Sequence, residues 1–82
     1  MADRVDVVVP ALGKGVESVL LVAWNVGPGG VVTAEEVLFE VETDKAVFEV
    51  EALVSGTLEE VFVAAGEPVA PGAVVARVRI QG

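Results

Sequence analysis

The feature that most constrains the fold of this chain is an internal repeat with a spacing of 37 residues. Apolar residues and a glycine of an earlier segment recur, without a gap, in a later segment. The matched pairs are Trp24 with Val61, Val26 with Val63, Gly29 with Gly66, Val32 with Val69, Val37 with Val74, and Val41 with Val78. The repeat predicts two similar halves of four strands, each too small to bury its own apolar face. We therefore expect an all-β flattened barrel or sandwich of two four-stranded antiparallel sheets with pseudo-two-fold symmetry.

Composition and periodicity agree with this all-β class. Hydrophobic residues make up 54% of the 82 residues, with valine the commonest, and β-branched side chains favour strands. Strand patterns separated by Gly and Pro turn signals cover the segments 5–9, 19–26, 31–32, 37–42, 46–51, 61–63 and 74–80, with a further bend over 54–58. The pattern around Glu35 could begin a helix, but the alternation that follows overrides it. We expect one domain over residues 1–82, with its core at about 5–80.

The clearest local pattern is an alternating hairpin over residues 38–51. Folding it about a two-residue loop at Asp44 and Lys45 places Val41 opposite Phe48 and Phe39 opposite Val50 on one side of the sheet. The other side then carries glutamates, which are Glu40, Glu42, Glu49 and Glu51. A shift of one residue would bury these carboxylates, so the pattern fixes the register. Lys45 is therefore expected to project into water from the tip of a type I turn.

The residue types that are absent argue against an enzyme. The chain has no Cys, His or Tyr. Without Cys it has no thiolate nucleophile, and without His it lacks the residue that is both the commonest general base and the commonest transition-metal ligand. Ser18 and Ser55 have no histidine to activate them. We expect no catalytic residues and no metal site.

Charge and hydropathy argue against two classes of partner, nucleic acids and membranes. A net charge of −8 disfavours nucleic acid and anionic membrane surfaces. No apolar run approaches the ~20 residues of a membrane-spanning helix, and no signal or transit peptide precedes Val5. The expectation is a soluble intracellular protein, either cytoplasmic or from a mitochondrial matrix after removal of a transit peptide.

The segment Glu42-Thr43-Asp44-Lys45-Ala46 resembles the lipoylation motif of the biotinyl/lipoyl carrier family. The resemblance covers nearly the whole chain, from Val5 to Ile80. It includes Val8-Val9-Pro10 followed by Gly13 and Gly15, Trp24-Asn25-Val26 followed by Gly29, Gly56 at the start of the second half, and Gly66-Glu67-Pro68-Val69. The motif is specific because it lies at the tip of a hairpin, midway between two related halves.

The resemblance implies lipoic acid in amide linkage to Lys45, with Glu42, Thr43, Asp44 and Ala46 recognised around the turn. It implies a swinging arm that carries acyl groups and electrons between active sites of a 2-oxo acid dehydrogenase complex. The implied partners are a lipoate ligase or octanoyl transferase and the decarboxylase, acyltransferase and dihydrolipoamide dehydrogenase components. The loop after the first strand, with Gly13, Lys14, Gly15 and Glu17, is the implied partner loop, although Lys14 stands where the family often has an acidic residue.

Three alternatives stay open. A biotin carboxyl carrier shares the expected fold but usually has methionines beside its lysine, where this chain has Asp44 and Ala46. A carrier of the glycine-cleavage type would also bear lipoyl, in a chain that is usually longer. An unmodified adaptor domain could use the same sandwich. The chain is either part of a longer acyltransferase or a free-standing carrier.

Overall fold

Eight strands joined by turns make up the described part of the chain. The computed structural model describes residues 3–80. The strands are β1 (Asp3–Val8), β2 (Val19–Trp24), β3 (Val31–Val32), β4 (Val37–Glu42), β5 (Val47–Glu51), β6 (Gly56–Val61), β7 (Pro68–Val69) and β8 (Val74–Ile80). Residues 3–80 contain no helix, so the expected fold class is confirmed and the segment at Glu35 forms a turn. None of these residues therefore belongs to a helix that could cross a membrane.

The two sheets have the same arrangement of strands. One has the order β1-β8-β6-β3 and the other the order β5-β4-β2-β7, with every pair antiparallel. The two orders are related by a shift of four strands along the chain. It replaces β1 by β5, β8 by β4, β6 by β2 and β3 by β7. Each sheet takes two strands from each half, so neither half forms a sheet by itself. The predicted pseudo-two-fold relationship is present in this topology.

The repeat also holds for single residue pairs. Leu21 pairs with Val41, and 37 positions later Leu58 pairs with Val78. In both ladders the register shifts directly after the leucine. Identical pairing and an identical irregularity show that the two halves share their backbone conformation along these strands.

The glycine turns of the repeat are equivalent as well. Gly29 and Gly66 have positive φ angles of 86° and 94°. Their N–H groups donate to the carbonyls of Leu58 and Leu21 respectively, each at 2.7 Å. Each turn of one half is thus bonded to a strand of the other half. Glycine recurs here because only glycine adopts this backbone without strain.

The symmetry places the hairpin turn away from the chain ends. Asp3 pairs with Ile80, so the two ends of the described chain lie side by side. β1 and β5 line a common groove, which means that they lie on the same side of the sandwich. A two-fold axis that exchanges the sheets but keeps β1 and β5 on the same side must lie between the sheets, perpendicular to the strands. Such an axis reverses the strand direction, so it exchanges the two ends of the sandwich. In a molecule of 40 × 20 × 20 Å, the turn at residues 43–46 and the ends of the described chain therefore lie at opposite ends of the strands.

The core lies between the two sheets and is entirely apolar among the described residues. Its buried members are Val9, Val19, Leu21, Val32, Leu38, Phe39, Val41, Ala52, Leu58, Val69, Val75, Ala76 and Val78. Trp24 packs against this core and its ring centroid is 5.0 Å from that of Phe39. The indole Nε1–H donates to the Val63 carbonyl at 2.8 Å, which satisfies its one polar atom.

The predicted bend over residues 54–58 is only partly correct. β6 begins at Gly56, so Gly56, Thr57 and Leu58 belong to a strand. A Cβ at Gly56 would lie 2.2 Å from the Arg79 carbonyl oxygen. The glycine is therefore required by the close approach of β6 to β8 and does not mark a turn.

Candidate functional site

The hairpin of β4 and β5 has the register that the alternation predicted. Phe39 pairs with Val50, and Val41 pairs with Phe48. Phe48 departs from the expectation because 38% of its surface is exposed. β5 is an edge strand, so Phe48 has a neighbouring strand on one side only.

Asp44 and Lys45 are the two central residues of the turn. The Thr43 N–H donates to the Ala46 carbonyl at 2.8 Å and closes the hairpin around them. Neither central residue is among those with a positive φ, so the turn is not of a primed type. This agrees with the predicted type I turn, and it means that Lys45 is presented without backbone strain.

The Thr43 hydroxyl holds the turn in shape. Its Oγ1 accepts hydrogen bonds from the N–H groups of Lys45 and Ala46, both at 3.2 Å, and donates to the Ala46 carbonyl at 3.3 Å. Two turn N–H groups are thereby satisfied by a side chain. The sequence motif includes Thr43 in the recognised segment, but these hydrogen bonds of its hydroxyl were not predicted. A threonine directly before the two turn residues was the available signal.

The Lys45 side chain is free to accept a covalent group. Asp44, Lys45 and Ala46 are all exposed. Among residues 3–80, no ion pair or side-chain hydrogen bond engages the Lys45 ammonium. An amide-linked prosthetic group needs one accessible primary amine on a rigid support, and the residues present meet this requirement. The acidic side chains of residues 3–80 form no group that could hold a metal.

The two-fold symmetry of the backbone does not extend to the charges. Arg77 on β8 lies between Asp6 and Glu60, with N–O distances of 3.3 and 3.8 Å. The equivalent position on β4 is Glu40, which pairs across the ladder with Glu49. One fold thus accommodates an arginine between carboxylates in one sheet and two facing carboxylates in the other.

This difference leaves the hairpin acidic. A further ion pair joins Arg4 to Glu59, and this contact raises the pKa of the Arg4 guanidinium. The outer face of the β1-β8-β6-β3 sheet therefore carries paired charges. In the part of the chain that the structure describes, Glu40, Glu42, Glu49 and Glu51 have no ion-pair partner. The lysine turn is consequently flanked by net negative charge.

The loop between β1 and β2 is the largest departure from the two-fold symmetry. It spans residues 9–18, whereas the equivalent connection between β5 and β6 spans only residues 52–55. The first half thus carries six additional residues. Because Leu20 pairs with Glu42, the end of the loop that contains Glu17 runs towards the lysine turn. Within residues 3–80 no hydrogen bond joins this loop to the turn.

The backbone explains the two glycines of this loop. Gly13 and Gly15 have φ angles of 121° and 79°, which a residue with a Cβ rarely adopts. Lys14 lies between them and is exposed. The structure therefore presents two exposed lysines in different settings, one in a glycine loop and one at the tip of a bonded hairpin.

Comparison with known proteins identifies a common architecture. The sequence profile of a family described as "Biotin-requiring enzyme" (Biotin_lipoyl) matches residues 5–78. A solved structure, the lipoyl domain of the 2-oxoglutarate dehydrogenase complex from Azotobacter vinelandii, superposes with a TM-score of 0.75. The two are 27% identical, and the superposition covers 95% of this chain and 98% of that one.

Sequence relatives are much longer than this chain. This chain is 39% identical over 77 residues to the dihydrolipoyllysine-residue succinyltransferase component of the 2-oxoglutarate dehydrogenase complex of Escherichia coli K12. The matched region covers 94% of this chain and 19% of the relative. The chain is 38% identical over 69 residues to the acetyltransferase component of the pyruvate dehydrogenase complex of Staphylococcus aureus Mu50, covering 84% and 16%. The chain thus spans less than a fifth of the length of either relative.

Proposed function

The chain belongs to the biotin- and lipoyl-attachment family, and from that premise we propose that it is a lipoyl carrier domain with Lys45 as its attachment residue. The observation that carries the proposal is the exposed, unpaired Lys45 amine at the tip of a hairpin that the Thr43 hydroxyl holds in shape. The carrier unit is the whole chain, residues 1–82, acting as a single domain.

Lipoic acid is the proposed group, in amide linkage to the Lys45 Nζ. Once bound, its dithiolane would supply the acyl-carrying and electron-carrying chemistry. The flanking residues favour lipoic acid over biotin, since they are Asp44 and Ala46 and not methionines. The relatives and the superposed structure are named for dihydrolipoyllysine and lipoyl proteins, which supports the same choice.

The protein contributes presentation and recognition in this proposal, not catalysis. The ladder of β4 and β5 fixes the backbone on both sides of the turn up to the pair Glu42 and Val47, so the arm would move by rotation about the side-chain bonds of Lys45. A reactive group on such a support is kept at high local concentration near each partner site. We assign recognition of the turn to Glu42, Thr43, Asp44 and Ala46.

The proposed partners follow from the complexes that contain the relatives. A lipoate ligase or octanoyl transferase would modify Lys45, and the decarboxylase, acyltransferase and dihydrolipoamide dehydrogenase components would use it in turn. We assign the loop with Gly13, Lys14, Gly15 and Glu17 to the choice among these partners, because it is the insertion that runs towards the turn. The domain would work in the compartment of its complex, which is the cytoplasm or a mitochondrial matrix.

Intact-mass measurement tests the attachment. The purified protein is incubated with a lipoate ligase, lipoate and ATP, alongside Lys45→Arg and Lys14→Arg. One lipoyl group should be added to the wild type and to Lys14→Arg, and none to Lys45→Arg. Modification of Lys45→Arg, or incorporation of biotin by a biotin ligase in place of lipoate, would contradict the proposal.

A second experiment tests the role in a complex. The lipoylated protein and free lipoamide are compared as substrates of an oxo-acid decarboxylase component. The protein should be reductively acylated faster, since binding to the domain positions the arm. Equal rates would mean that the domain contributes no recognition.

A further inference from the structure

An apolar groove lies between the edge strands β1 and β5, separate from the lysine turn. Its volume is about 170 Å³, comparable with the ~150 Å³ of a cavity that holds benzene. Val7, Val50 and Leu38 form part of an apolar lining. The two charged residues of the lining are both acidic and exposed, Asp6 and Glu51.

The apolar lining of the groove includes Leu53. This leucine is 90% exposed and lies in the short connection between β5 and β6. Its two-fold equivalent, Pro10, is also part of the lining, as is the half-exposed Val8. Single exposed leucines are common on proteins, but one that lines an apolar groove indicates a binding surface.

Both strands that border the groove have a free edge. Within residues 3–80, β1 pairs only with β8 and β5 pairs only with β4. Each strand therefore leaves one row of backbone N–H and carbonyl groups without a neighbouring strand. An extended peptide could add to such an edge while its alternate side chains enter the groove.

We propose that this groove binds an extended segment of a partner protein in which apolar side chains alternate with lysine or arginine. The apolar side chains would fill the groove, and the basic ones would face Glu51, which has no ion-pair partner among residues 3–80, whereas Asp6 is already paired with Arg77. A second copy of this chain is a poor occupant, because each copy carries a net charge of −8.

This binding would leave the lysine turn accessible. No residue of the segment 43–46 lines the groove, and its β5 part, Val50 to Val54, lies at the end of β5 away from the turn. On the β1 side only the Val8 and Pro10 end of the lining lies at the end of the molecule that holds the turn. A partner held here could tether the domain while Lys45 acts elsewhere. Binding in the groove does not involve the group attached to Lys45, so the unmodified protein can be used in the binding experiment.

The test is a titration of ¹⁵N-labelled protein with the peptide acetyl-VKLKVK-amide. Saturable amide shifts are expected in β1, β5 and the connection 52–55, with none at the lysine turn. The acidic peptide acetyl-VELEVE-amide should produce no saturable shift. Shifts centred on the hairpin turn, equal binding of the acidic peptide, or no binding of the basic peptide would each overturn the proposal.

Two matched pairs of variants locate the binding. Leu53→Lys should weaken binding of the basic peptide about tenfold, whereas Val31→Lys, on an exposed valine outside the groove, should not. Glu51→Gln should weaken binding and its salt dependence more than Glu49→Gln, which removes the same charge from the same strand. Equal effects within either pair would show non-specific charge attraction and overturn the proposal, as would concentration-dependent dimerisation through these residues without peptide.

Discussion

Glu35 and Gly72 occupy equivalent positions in the two halves and share a left-handed backbone, with φ angles of 75° and 87°. Their N–H groups donate to the equivalent carbonyls of Ala52 and Val9, at 2.8 and 2.7 Å. A left-handed conformation costs a residue with a Cβ roughly 1–2 kcal/mol. Both turns require this conformation, but only the second has a glycine to adopt it without strain.

Replacing Glu35 with glycine should therefore stabilise the protein. We expect Glu35→Gly to raise the free energy of unfolding by about 0.5–1 kcal/mol. This value is the strain energy that glycine releases minus the stabilisation that the unfolded chain gains from its greater conformational entropy. Urea denaturation measures the change. Gly72→Ala is the control and should lower stability, since nothing lies within 4 Å of its added Cβ and only backbone strain acts. A loss of stability in Glu35→Gly would refute the assignment of strain.

Removing the Thr43 hydroxyl should loosen the lysine turn. Thr43→Val keeps the shape of the side chain but leaves the N–H groups of Lys45 and Ala46 without their acceptor. We expect a loss of about 0.5–1.5 kcal/mol, faster amide exchange at both residues and slower lipoylation of Lys45. Thr43→Ser retains the acceptor and should behave like the wild type. Unchanged exchange in Thr43→Val would show that the hydroxyl does not hold the turn.

The position of the lysine within the turn should matter more than its exposure. The double variant Asp44→Lys with Lys45→Asp keeps the composition and charge but moves the amine by one residue. We expect a lipoate ligase to modify it hardly at all, because the enzyme must recognise a side chain presented at the tip. Intact mass gives the answer. Modification as fast as in the wild type would show that the ligase requires only an accessible amine and does not recognise its position in the turn.

The residues beside Lys45 should decide which cofactor is attached. Asp44→Met with Ala46→Met introduces the flanks typical of biotin carriers, and both positions are exposed, so the fold should be retained. We expect this variant to be a better substrate for a biotin ligase and a poorer one for a lipoate ligase. Parallel incubations with both enzymes test it. If its preference stays with lipoate, features outside the two flanks set the choice.

An arginine at position 40 should reproduce on β4 the ion pair found on β8. Glu40 faces Glu49, whereas its equivalent, Arg77, contacts Asp6 and Glu60. We expect Glu40→Arg to raise stability by about 0.3–1 kcal/mol, and the gain should shrink in high salt. Glu40→Gln removes only the repulsion and should give a smaller gain. No difference between the two variants would mean that Glu49 forms no pair with the arginine.

The hairpin and the symmetry could be predicted because their signals are local or repeated. Alternation of apolar residues and glutamates sets the pairing of Phe39 with Val50 without reference to any other strand. The 37-residue repeat relates the two halves whatever their packing, and it reappears in the pairing of Leu21 and Leu58. Lys45 at the tip follows directly from the hairpin register.

Features that depend on residues distant in the chain could not be predicted in this way. Gly56 has the composition of a turn residue, but it lies in a strand because the Arg79 carbonyl approaches too closely for a Cβ. Phe48 has the position of a core residue, but it is partly exposed because β5 is an edge strand with a neighbour on one side only.

The sequence by itself determined the all-β class, the two-fold relationship and the lysine at a hairpin tip, because periodicity and turn chemistry act between near neighbours. Only the tertiary structure decided which strand edges meet. β1 and β5 form a common groove although more than 40 positions separate Val7 from Val50. That placement depends on how two sheets pack face to face, a non-local contact on which the alternation within a single strand carries no information.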